Sequence, residues 1–110
     1  MESQNETPAP VHPGNTLPAV GMIVNRIARI DRNGACMAGD DLRTCRTVAD
    51  VADLAVQLLT TWRYELHPEG DDVAAGHAVA ALDRINGRVD WVTFNAEVAR
   101  VADLVFAPPV

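Results

Sequence analysis

Three sets of residues are of types that can do chemistry. The first is His67, Glu69, Asp71, Asp72 and His77, imidazoles and carboxylates gathered around one turn. They are the right types for a metal ion. Their spacing is wrong for zinc, because neither His-x3-His nor Cys-x2-Cys occurs. His67 falls at the end of one helical pattern and His77 more than a turn into the next. The plain reading is a solvated turn whose acids cap the following helix.

The second is Cys45. Arg43 and Arg46 flank it, and a helical pattern opens at Thr47. Positive charge and the positive end of a helix dipole would both favour a thiolate there. A nucleophile also needs a base, and no His lies close in sequence. Cys36 is the other thiol. Both read as packing residues. A disulfide between them is not expected in a reducing compartment.

The third set is the carboxylate pairs Asp40-Asp41 and Asp71-Asp72. Acid–base catalysis needs such a pair in a concave, partly dry site. In polar turns, neighbouring acids are solvated or capping. Phosphate binding has no support, since neither Gly-x4-Gly-Lys nor Gly-x-Gly-x-x-Gly is present. No enzyme activity, metal or other cofactor is expected; one alternative is a small enzyme or metal-binding protein using Cys45 or His67 and His77.

The elements that would position these residues are mostly helical. In 47–66, the residues Val48, Val51, Leu54, Ala55, Leu58, Leu59, Trp62 and Leu66 recur at three- and four-residue spacings. That places them on one helical face. Asp50, Asp53, Gln57, Thr61 and Tyr64 take the other. Thr47 followed by Asp50 resembles a capping box, and Pro68 and Gly70 mark the stop. A second helix is expected over 72–86, with Ala75, Ala78, Val79, Leu82 and Ile85 inward. Gly76, His77, Ala80, Asp83 and Arg84 face outward, and Asn86-Gly87 ends it. A third is expected over 90–106, with Trp91, Phe94, Val98, Val101, Ala102 and Val105 inward. The runs 48–54 and 98–104 differ only at Asp50 against Arg100. Their flanks do not match, so the echo reads as one amphipathic solution used twice.

The N-terminal part is less regular. Residues 1–17 are rich in Pro and polar groups and read as a disordered tail. Over 18–32 the apolar residues Val20, Ile23, Val24, Ile27 and Ile30 fit a period of 3.6 better than 2. The alternative is a short β-hairpin within 22–38, turning at Asn33-Gly34. Residues 33–46 read as a long connection. The fold class is therefore mostly α. It is a bundle of three to four helices in a single domain, 18–107.

Composition narrows the function. The 110 residues carry a net charge of −6. Residues 21–46 hold five arginines against three aspartates, whereas 47–110 hold four arginines against ten acids. An acidic field repels phosphates, so nucleic acid is a poor partner for the helical part. A dimeric helix-turn-helix regulator is the alternative on shape, because 72–86 and 90–106 are joined by a short Gly turn. Its second helix would offer Arg100 alone, between Glu97 and Asp103. No apolar run approaches the ~20 residues of a membrane span. No basic start precedes an apolar run, so a cytoplasmic location is expected. A domain this small has a modest core, and a partner or second copy would extend it. The expected function is a non-catalytic adaptor, inhibitor or subunit presenting an acidic helical surface. The expected contact is Gly76 and Ala80, a strip of small residues, with Asp83, Arg84 and Tyr64 around it.

Overall fold

Thr47 starts the helix that touches every other element. Its hydroxyl accepts the Asp50 N–H at 3.0 Å, and the Asp50 carboxylate accepts the Thr47 N–H at 3.1 Å. This reciprocal box satisfies two donors that the first helical turn leaves open. The computed structural model describes residues 12–69 and 72–107. Among these it has five α-helices: α1 (Ala19–Ala28), α2 (Arg32–Thr44), α3 (Val48–Leu66), α4 (Val73–Ile85) and α5 (Trp91–Val105). A single 3-10 turn, Pro13–Asn15, precedes them, and no strand occurs among the described residues.

α3 packs against all four other helices and the 3-10 turn. Its stripe supplies Val51, Ala55 and Leu59, each fully buried. Phe94, Val98 and Val105 of α5, Leu82 of α4 and Ile23 and Ile27 of α1 close over them. α4 and α5 start as their sequences direct: Asp72 caps Ala75 N–H at 3.0 Å, and Asp90 caps Thr93 N–H at 2.8 Å. Gly87 ends the α4 turn with φ +79°, a conformation in which a Cβ would be strained.

Residues 19–28 form the helix that their periodicity predicts, not the alternative hairpin. The stretch 33–46, expected as a connection, is mostly helix. Asp31 is the physical reason for this second helix. Its carboxylate accepts the Asn33 N–H at 3.0 Å and caps α2. The buried residues of α2 are the small Ala35 and Ala38, with Leu42 partly buried beside them. A face built of alanine gives little apolar signal, yet it lets α2 lie close to its neighbours. Gly34 takes this furthest: a Cβ there would stand 2.9 Å from Cζ2 of Trp62 on α3. The helix count is thus five, above the three to four expected.

Residues 1–11 of the expected tail lie outside the described residues. From His12 onward the chain is structured. His12 Nδ1 accepts the Gly14 N–H at 2.9 Å, which leaves Nε2–H to donate toward Arg43 O at 3.4 Å. Leu17 is fully buried. One apolar residue placed at the mouth of α1 gains enough burial to hold 12–17 against the bundle. The N-terminus of α1 has no side-chain cap of its own. The Ala19 N–H donates instead to Asn95 Oδ1 of α5 at 2.9 Å. Arg26 reaches Asp103 of α5 at 2.6 Å, and Asn86 Nδ2 donates to Asp53 of α3 at 2.7 Å. Asp53 and Asp103, at equivalent positions of the echoed runs, thus both tie their helix to another element. No helix among the described residues is long and apolar enough to cross a membrane.

Candidate functional site

An open concavity lies between α3 and α4. α3 contributes Val56, Thr60, Arg63 and Tyr64, spaced four, three and one apart along one flank. α4 contributes Gly76, Val79, Ala80 and Asp83. The open groove has a volume of about 250 Å³. Its floor is apolar. Thr60 joins that floor because its hydroxyl is spent on Val56 O at 2.8 Å, leaving the methyl.

Arg63 is the one cation in the lining. Its guanidinium lies over the α4 backbone at Gly76. A Cβ at that position would come within 2.7 Å of Cζ and Nη2, so only glycine gives this seat. Nη2 donates toward Asp72 O at 3.5 Å, a long contact. Cζ stands 5.4 Å from the Tyr64 ring centroid, within cation–π range. Nε is buried and has no hydrogen-bond partner among the described residues. No carboxylate among the described residues is within ion-pair reach of Arg63. Tyr64 stands 60% exposed beside it, and Asp83 is exposed at the other end of the groove.

Four of the five residues expected at a contact therefore share one groove: Tyr64, Gly76, Ala80 and Asp83. Arg84 does not line it, because consecutive helical residues point about 100° apart. Ala80 is exposed, as a contact strip requires. Gly76 is only partly exposed, because Arg63 of the same chain covers it. Sequence reasoning missed Arg63, Val56 and Thr60. Their shared flank of α3 was the available signal.

The other candidate chemistry is placed as follows. The Cys45 thiol is pushed up, first by burial and then by the carboxylates of Asp50 and Asp41. This reverses the expected thiolate environment. The helix N-terminus that was to stabilise a thiolate is taken by Asp50, which accepts the Arg46 and Thr47 N–H groups, and Arg43 pairs with Asp40. Cys45 Sγ instead donates to Asp41 O at 3.3 Å. Cys36 is exposed, and both thiols are free. His67 Nε2 faces Val105 O at 3.3 Å and Asp72 Oδ2 at 3.4 Å, binding the end of α3 to the ends of α4 and α5. His77 is exposed on α4. Asp71 lies outside the described residues. Among those described, no three His, Cys, Asp or Glu side chains gather as a metal site. On α5, Arg100 donates to Glu97 at 3.0 Å. A smaller hollow of about 190 Å³ on α1 is lined by Met22, Asn25, Arg26 and Arg29.

No protein family, curated protein or solved structure gives a match to this chain.

Proposed function

We propose that this protein is a small non-catalytic interaction module, an adaptor, inhibitor or subunit, whose contact surface is the α3–α4 groove. The observation that carries the reading is the groove's lining. It sets an apolar floor beside an arginine that has no acidic partner among the described residues, with an exposed tyrosine at its edge. Tyr and Arg are enriched among residues that dominate binding energy at protein interfaces. The chain's net charge of −6 favours protein over nucleic acid as the partner. Two free thiols suit the reducing cytoplasm, where we place the protein.

Ala80→Trp tests the groove. The residue is exposed, so the change should leave folding stability within about ±0.5 kcal/mol. The indole would fill the groove. Wild type and variant are immobilised in parallel and exposed to host extract. A protein retained by wild type and lost from Ala80→Trp supports the reading. Equal recovery on both removes the groove as the contact surface.

A further inference from the structure

We propose that the groove face closes against the same face of a second copy, with the two α4 helices antiparallel across Ala80 and Asp83 of each copy on Arg63 of the other. This rests on the groove being the contact surface, and it names the occupant. At about 250 Å³ the groove is smaller than the ~300–1,000 Å³ typical of small-molecule sites. It accommodates side chains of a partner surface better than a whole ligand.

The charges and the register choose which surface. Arg63 lacks a carboxylate among the described residues, and Asp83 lacks a cation. They do not pair within one chain, because Gly76 holds the guanidinium near its own level on α4. Asp83 lies seven residues further on, about 10 Å along the helix axis. A two-fold axis crossing α4 at Ala80 turns this mismatch into a match. It carries positions three residues beyond Ala80 onto those three residues before it. Asp83 of one copy then falls within about one residue's rise of Gly76 of the other, on the groove side of both helices. Arg63 lies there. The same axis sets Ala80 against Ala80, where small side chains let two helices approach closely. Two-fold symmetry makes the ion pair twice. Arg84 is on the far flank of α4 and takes no part in it.

Sedimentation equilibrium at low salt decides the matter, with four proteins: wild type, Ala80→Trp, Asp83→Arg and Asp41→Arg. Asp41→Arg makes the same charge change on the exposed face of α2. Wild type and Asp41→Arg are expected to dimerise alike. Ala80→Trp and Asp83→Arg should raise the dimer dissociation constant about tenfold or more. Adding Arg63→Glu to Asp83→Arg restores opposite charges across the axis and should recover part of the affinity. Raised salt should weaken the wild-type dimer. Circular dichroism confirms that each variant is folded. A wild type that stays monomeric up to about 1 mM overturns the second copy as occupant. The Ala80→Trp capture experiment then decides separately whether the groove binds another protein. A dimer that Asp83→Arg leaves as strong as Asp41→Arg does overturns the pairing.

Discussion

The two glycines inside α2 offer a decisive perturbation, because the same substitution should have opposite signs five residues, about 7.5 Å, apart. Gly39 sits mid-helix, and a Cβ there would meet only Arg43 Nη1 at 3.6 Å, an ordinary contact. Gly39→Ala should therefore express the helix preference of alanine and the reduced freedom of the unfolded chain, about 0.5–1 kcal/mol of added stability. For a domain of this size, that is a rise in Tm of about 2–8 °C. At Gly34 the same Cβ would stand 2.9 Å from Trp62 Cζ2 and 3.2 Å from Asp31 Oδ2. An indole is rigid, and Asp31 is engaged as the cap of α2. Forcing them apart costs about 1–3 kcal/mol, which outweighs the helix gain. Gly34→Ala should lower stability by about 1–2 kcal/mol. Gly76→Ala lies between them. Its new methyl would meet the far end of Arg63, which can swing away, so helix gain and lost contact should cancel to within about 0.5 kcal/mol. Urea unfolding followed by circular dichroism gives all three values. If Gly39→Ala is not stabilising, residues 32–44 are not the helix described. If Gly34→Ala stabilises as much as Gly39→Ala, Trp62 does not pack on α2.

Phe94 is fully buried and Trp62 only partly. Phe94→Ala should cost about 3–5 kcal/mol and Trp62→Ala less, about 2–3, as read by the same urea titration. Carboxylates at the N-terminal ends of two helices give the protein an acid-sensitive component. Asp50 is held below the ordinary carboxylate range by the Arg46 and Thr47 N–H groups and the Thr47 hydroxyl, and Asp90 by the Thr93 N–H and hydroxyl. The folded chain then binds these two protons less readily than the unfolded chain. The associated stability is present above the usual carboxyl pKa of about 4 and is lost as pH falls through it toward the depressed values. Tm measured from neutral to acidic pH should fall, and Asp50→Asn with Asp90→Asn should flatten part of that fall. An unchanged slope would show that the caps do not titrate this way. Iodoacetamide at neutral pH should label exposed Cys36 before Cys45, whose thiol is raised and partly buried, with peptide mass spectrometry as the readout.

The helices that were legible in the sequence are those whose signals agree at several levels. α3, α4 and α5 each combine an apolar stripe at helical spacing with a capping Thr or Asp. Either signal alone would have been weaker. α1 was legible as a periodic stripe, but Ile and Val suit a strand as well, so local preference left the choice open. α2 was not legible. Two glycines and five charged or amide residues dilute its pattern, and its inward face is alanine. It becomes a helix because Trp62 and the bundle give that small face something to cover, which is a tertiary effect. The groove divides in the same way. Tyr64, Gly76, Ala80 and Asp83 were found because outward positions follow from periodicity. Arg63 was not, because its seat exists only once α3 and α4 are side by side and the missing side chain of Gly76 lies beneath it.

The hydrogen bond from Ala19 to Asn95 joins the first helix to the last. On the ribosome, α1 is made long before the side chain that caps it. Until α5 emerges, α1 has only α2 and α3 to pack against, and part of the cover of its apolar face is missing. Completion of the fold is thus tied to the synthesis of α5. A product that stopped before residue 95 would leave the start of α1 uncapped and part of its apolar face bare, a form that proteases and chaperones can tell from the finished protein.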